Sequence, residues 1–276
     1  MGYGDEIMIT GYAKALKQKY PNHQIVAGNK KKGVVYDSII FNLNPNIKRF
    51  SELKNMQTIW IDSYSGHRPY FIKETDEKYY WNMKHKVTVG EIFFSKKENQ
   101  FALNIINSAI QWWDERNNYK YKKIIFLEPS RIKTSKNNAF ENRSWGIEKW
   151  KSFLNYYKKE YLFVQSIFRD SDKINGIYNF KSGFREACAV LGQCDYVVGG
   201  EGGFTHAAGA LNKKGLFIYG GWIDPNIIGY TFHKNVYIDI EGSPCGMKIP
   251  CEHCKKCNEI MTVDMISKKF LEMFSI

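Results

Sequence analysis

The chain reads QIVAG over residues 24–28, SIIFNL over 38–43, TIWID over 58–62 and KVTVG over 86–90. Each run is rich in β-branched or aromatic residues and bounded by polar or turn-forming positions, which predicts four short strands. From Ile7 to Tyr20 apolar residues recur near helical spacing, at Ile9, Ala13, Leu16 and Tyr20, and the pattern stops at Pro21. That predicts a helix, and ENQFALNIINSAIQWW (98–113) predicts a second, amphipathic one. The polar stretch DERNNYKYKK (114–123) reads as a linker.

Beyond it the rhythm restarts. A strand is predicted at 124–130, a helix at 146–160, a strand at 161–168 and a helix at 182–192. The strand YVVGG, the helix THAAGALN and the strand GLFIYGG follow. Strands alternating with helices imply parallel sheets covered on both faces, the α/β class, with ligands at the carboxyl ends of the strands. Two such blocks predict two Rossmann-like, doubly wound domains facing a central cleft. Residues 1–118 form the first, and residues 119–276 form the second, which carries a cysteine-rich loop at 245–257 and a C-terminal helix. The chain opens on MGYGDE with no strand before it, so either the N terminus is truncated or the first domain lacks its usual first strand.

Composition narrows the class. With 276 residues there is ample chain for buried cores, and 43% apolar residues argue against disorder. No run of 18 apolar residues predicts a membrane span, and no signal-peptide pattern is present. The expected compartment is the cytoplasm of a bacterial or phage-infected cell, with association at the inner membrane surface left open. Forty Lys and Arg against 28 Asp and Glu give a net charge of +12. A balance this basic fits a polyanionic partner, nucleic acid or a phosphate-bearing membrane surface; it also fits plain solubility.

Three segments carry candidate chemistry. In GYGDE, Asp5 sits at a helix start, where it can cap the first turn or serve as a carboxylate base at a cleft edge. In EGGFTHAAGAL, Gly202 and Gly203 let the backbone approach a ligand, and the following helix offers its N-terminus to a phosphate. Glu201 could bind sugar hydroxyls, and Thr205 and His206 could reach a diphosphate; the plain alternative is a glycine turn capped by Thr205. Cys245, Cys251, Cys254 and Cys257 form C-x5-C-x2-C-x2-C, which suits a structural zinc, reduced thiols without metal, or an iron–sulfur cluster.

Taken in order, three stretches resemble glycosyltransferase family 9, the heptosyltransferases of lipopolysaccharide synthesis. They are GDEIMITGYAKALKQKYPNHQIV, IIFLEPS with NRSWGIEKWKSFL, and CDYVVGGEGGFTHAAGALNKKGLFIYGGWIDP. The resemblance implies the GT-B fold, metal-independent chemistry and inversion at the anomeric carbon. It places Asp5 at the proposed general base and Arg143 near the basic residue that faces the donor phosphates. Glu201 stands at the family's Asp, and His206 at its motif His. Glu201 is longer by one methylene, Gly202 replaces a hydroxyl residue, and Gly146 replaces a proline. Ser130, in the EPSRIK loop, could join the donor site. The donor would be a nucleotide-diphosphate sugar.

The segment 63–86 interleaves aromatics with cations and includes Tyr64, His67, Arg68 and Tyr70. Such interleaving suits stacking on bases and contact with phosphates, and in the family the first domain binds the acceptor; the alternative is an ordinary hydrophobic cover with a solvated rim. Two acceptors compete: DNA with a hydroxymethylated base, slightly favoured by the charge and this segment, and the lipopolysaccharide core. A non-catalytic nucleic-acid-binding protein on a decayed GT-B fold is the reading from a different class.

Overall fold

The computed structural model describes residues 2–63, 68–129, 139–168 and 172–274; Tyr64, His67 and Ser130 lie outside the described residues. The first half runs α1 (Tyr3–Lys19), β1 (Gln24–Asn29), β2 (Val34–Val35), β3 (Thr58–Ile61), the hairpin strands β4 (Phe71–Glu74) and β5 (Tyr79–Trp81), and α2 (Lys96–Asp114). The second half runs β6 (Ile124–Glu128), α3 (Ala139–Arg143), α4 (Ile147–Tyr157), β7 (Leu162–Ile167), β8 (Tyr178–Lys181) and α5 (Phe184–Gln193). It continues with β9 (Tyr196–Gly200), α6 (Gly203–Ala210), β10 (Gly215–Gly220), α7 (Pro225–Ile228), β11 (Lys234–Tyr237), α8 (Glu252–Ile260) and α9 (Val263–Leu271).

The second half builds one parallel sheet in the order β11-β10-β9-β6-β7-β8. Its central strands are apolar on both faces because helices cover both, so β7 and β10 read as continuous buried runs rather than alternating ones. Counted from β6, the order is the doubly wound one, and it reverses direction between β6 and β9. A ligand crevice belongs at that point, outside the strand ends. The first half is much smaller: β1 pairs in parallel with β3 and antiparallel with the short β2.

Two predicted strands are absent. SIIFNL forms a 3-10 turn at Ile39–Phe41, because the Ser38 hydroxyl accepts from the Ile40 N–H at 3.1 Å and caps the turn. KVTVG has no strand partner and runs instead against α1. Glu91 N–H donates to Thr10 Oγ1 at 2.6 Å, and a Cβ on Gly90 would lie 2.3 Å from the Ile7 carbonyl oxygen. Composition misjudged burial as well as pairing: Ile40 and Phe41 are buried, but Ile39, Leu43 and Val89 are exposed.

One apolar cluster joins the halves, running from Ile7 on α1 to Phe217 on β10. Helix α2, which the sequence places in the first block, packs on α5, β7 and β8 of the second. Arg185 of α5 is 5% exposed and donates to the Ile39 carbonyl at 2.9 Å, to the Phe93 carbonyl and to Glu98. Helix α1 crosses α6 so closely that a Cβ on Gly4 would sit 2.8 Å from His206 Cδ2 and 3.3 Å from Gly203 Cα.

Candidate active site

The carboxyl ends of β6, β7, β9 and β10 and the N-terminal ends of α1 and α6 enclose a cleft of about 560 Å³. It lies at the reversal point of the sheet, where the topology calls for a ligand. Asp5, Arg68 and Tyr70 line it from the first half, and Arg143, Glu201, Gly202, Gly203 and His206 from the second. Those eight sequence-derived residues, from both halves, therefore meet in one place.

Asp5 is the third residue of α1. Its Oδ2 accepts from the Gly2 N–H at 3.2 Å, so the N-cap is Gly2 and Asp5, three residues on, bonds back to it. The same carboxylate also faces the cleft. Its Oδ1 accepts from the Tyr70 hydroxyl at 2.5 Å, and Arg68 Nη2 stands 3.4 Å from Oδ2. Burial, and then the charge of Asp5, push the Tyr70 hydroxyl well above its ordinary pKa, so Tyr70 remains a donor. The bond back to Gly2 fixes the side chain at the cleft edge.

Arg143 ends α3. Its Nε donates to Glu201 Oε2 at 2.9 Å, Nη2 donates to the same oxygen, and the guanidinium lies 4.3 Å from the Trp222 ring centroid. Glu201 is 4% exposed. A buried carboxylate without a cation beside it is costly, so the pair holds both groups in place. Arg143 is thus a planar, pre-oriented cation at the cleft wall, suited to a phosphate.

Gly202 is the N-cap of α6 and Gly203 its first residue. Thr205 is fully buried; its Oγ1 accepts from the Gly202 N–H at 3.1 Å, so its hydroxyl serves the turn and does not line the cleft. His206 is 3% exposed, its Nδ1 lies 3.1 Å from the Tyr230 hydroxyl, and burial lowers its pKa, so the ring is neutral. It wedges α1 against α6. Gly146 has φ +97°, which proline cannot adopt.

Tyr79 and Trp81 belong to the aromatic-cationic segment 63–86, whereas Trp222 carried no role in the sequence. Tyr79 and Trp81 of the hairpin and Trp222 after β10 form an aromatic wall; Trp81 and Trp222 meet edge to face at 4.9 Å, and Trp81 Nε1 donates to the Trp222 carbonyl at 3.1 Å. YYW, one aromatic pointing away between two pointing in, was the available signal.

Beside this wall lies the cysteine knuckle. Ligand atoms of Cys245, Cys251, His253 and Cys254 all fall within 4.8 Å of one another. Cys257 is not among them; its sulfur packs against Gly221, and His253 takes the fourth place. The Cys245–Cys251 sulfurs are 3.9 Å apart, and Cys254 Sγ is 3.8 Å from His253 Nδ1. A tetrahedral metal with bonds of about 2.3 Å spaces its sulfurs by about 3.8 Å; the Cys245–Cys251 pair matches that spacing, whereas the Cys245 and Cys254 sulfurs, 3.0 Å apart, would have to spread to admit one. His253 Nε2 sits 3.0 Å from Ser243 Oγ, the outer partner such a ligand needs.

The fold is the α/β architecture of GT-B glycosyltransferases. The chain is similar to the glycosyl transferase family 9 structure from Veillonella parvula DSM 2008, with TM-score 0.63, 12% identity, and 99% of this chain and 94% of that one covered. It is also similar to the iron-containing dodecameric glycosyltransferase TibC from enterotoxigenic E. coli H10407, with TM-score 0.63, 11% identity, and 100% and 74% covered. No family model matches the chain, and no curated protein matches it. Among the described residues no helix is long and apolar enough to cross a membrane.

Proposed function

We propose that the chain is a glycosyltransferase, moving a sugar from a nucleotide-diphosphate sugar to a hydroxyl of a phosphate-rich acceptor with inversion. The observation that carries this reading is the convergence of Asp5, Arg143 and the N-terminal end of α6 on one cleft at the sheet reversal. The Asp5 carboxylate takes the acceptor hydroxyl's proton. The oxygen then attacks the anomeric carbon, and the bond from that carbon to the phosphate oxygen breaks. The electron pair leaves with the nucleoside diphosphate, whose charge Arg143 and the α6 dipole stabilise. Glu201, Gly202, Gly203 and His206 shape the donor side of the cleft, and Arg68 and Tyr70 the acceptor side.

Cys245, Cys251, His253 and Cys254 hold a structural metal on this reading, zinc or iron; the donor set suits either, and the similar TibC is an iron-containing protein. Such a metal staples the loop.

The acceptor is a polyanion. The +12 charge and the Arg68–Tyr70–Trp81 wall support both hydroxymethylated DNA, whose base must be extruded to reach the cleft, and the lipopolysaccharide core. The test is nucleoside diphosphate release from a panel of nucleotide sugars, with and without duplex DNA containing 5-hydroxymethylcytosine and with and without lipopolysaccharide core. Acceptor-dependent release in one arm identifies the acceptor. No release from any sugar, with nucleic acid still bound, makes the chain a non-catalytic binder and ends the enzymatic reading.

A further inference from the structure

The cysteine knuckle and the donor-side arginine are connected through one buried amide. Asn142, the neighbour of Arg143 on α3, is 8% exposed. Its Nδ2 donates to the carbonyls of Met247 at 3.0 Å and Ile249 at 2.5 Å, and its Oδ1 accepts from the Cys251 N–H at 3.0 Å. All three partners belong to the loop that the knuckle closes. A helix of five residues cannot hold its own position, so α3 takes its placement from such tertiary bonds.

A second set of bonds fixes the surface on which Arg143 stacks. Trp222 Nε1 donates to the same Met247 carbonyl at 2.7 Å. Cys245 N–H donates to Gly221 at 3.0 Å, and Gly246 N–H donates to Trp222 at 3.1 Å. The backbone of Arg143 and the ring beneath its guanidinium therefore rest on one short loop, between Cys245 and Cys251. Opening that loop releases both.

We propose that Asn142 is a positioning residue which couples the Cys245–Cys254 knuckle to Arg143, so that the closed knuckle sets the affinity of the cleft for a nucleoside diphosphate. The inference rests on the donor-side reading of Arg143. Asn142 touches no substrate; it acts by holding the guanidinium where a diphosphate will sit. The coupling is reciprocal, because binding free energies linked through one element must be. Bound nucleotide therefore tightens the knuckle as much as the knuckle tightens nucleotide.

The test is a double-mutant cycle on the full chain. Dissociation constants are measured by calorimetry for ADP, UDP, GDP and CDP, and the tightest ligand is carried through Arg143→Ala, Asn142→Ala and the double variant. Each single change is expected to weaken binding about tenfold, and the double variant little more than either, because Asn142 works through Arg143. Equal weakening by Asn142→Ala in both backgrounds, or none in either, overturns the coupling. An unchanged affinity in Arg143→Ala instead overturns the donor-side reading itself. Where Asn142→Ala does not fold, amide hydrogen exchange on the unmodified chain decides. The Cys251 N–H, bonded to Asn142, is expected to exchange several-fold more slowly with the nucleotide bound. An unaltered rate at that amide refutes the proposal.

Discussion

Gly4→Ala sets two magnitudes against each other. Alanine is a better helix residue than glycine by up to about 1 kcal/mol, less in a first turn, so helix propensity alone predicts a small gain. Gly4 is the second residue of α1, and there an added methyl meets His206 Cδ2 at 2.8 Å and Gly203 Cα at 3.3 Å. Neither neighbour can give way. His206 is buried and tied to Tyr230, and the Gly203 contact is backbone at the start of α6. Overpacking of this kind costs about 1–3 kcal/mol, so the clash wins and the net loss is about 1–2 kcal/mol. In a chain of this size that lowers Tm by about 2–4 °C. Because the strain separates α1 from α6, it also moves Asp5 relative to the donor side, and transfer activity falls along with Tm. Thermal unfolding followed by calorimetry measures the first effect. Gly2→Ala is the control: it has an extended backbone, φ −90°, and its nearest neighbour, Asp5 Oδ2, is 3.9 Å away. A Tm in Gly4→Ala equal to or above that of Gly2→Ala refutes the close packing of the two helices.

Asp5→Asn keeps the shape of the side chain but removes the base, so kcat is expected to drop by about 10²–10⁴ with nucleotide affinity within about threefold; full transfer activity in the variant disproves the assignment. Elemental analysis distinguishes the two ligand sets: His253→Ala should lose bound zinc or iron and Cys257→Ala should retain it, and the reverse pattern restores the four-cysteine reading. His233 is buried among Phe217, Tyr230 and Phe232, and burial lowers its pKa from 6.5 to about 4. The unfolded chain therefore binds the extra proton first, and stability is lost as the pH falls from 6.5 toward 4, by at most about 3 kcal/mol from this group. A Tm-against-pH slope in that window that His233→Phe leaves undiminished contradicts the burial argument.

Strands β6, β7, β9 and β10 were legible because both of their faces are buried, which writes them as unbroken apolar runs. The edge strands β8 and β11 have less to bury, and their sequences, YNFK and KNVY, carry little signal. SIIFNL and KVTVG misled because β-branched composition fixes neither burial nor partner: Ile39, Leu43 and Val89 are exposed, and the segments form a capped turn and a run against a helix. In the site, Asp5 and Glu201 stand out because each flanks a predicted element, while Arg143 was reached only through the family resemblance. The pairing was not legible: Arg143 and Glu201 are 58 residues apart, and only the fold brings them to 2.9 Å. His253 has no counterpart in the cysteine spacing; it lies among Cys245, Cys251 and Cys254, with Cys257 on its far side at 3.7 Å.

The packing of α2 bears on how the chain folds as it is made. The apolar side of this helix, with Ala102, Ile106, Ala109 and Trp113, finds its cover in α5, which ends only at Gln193. During synthesis α2 therefore leaves the ribosome with an exposed greasy stripe, and it waits while β6, α4, β7 and β8 are translated. A contact between such distant segments is slow to form and open to wrong partners meanwhile. The first block is thus dependent on the second for completion, and a nascent chain stalled near Asp114 is a client for chaperones rather than a folded half.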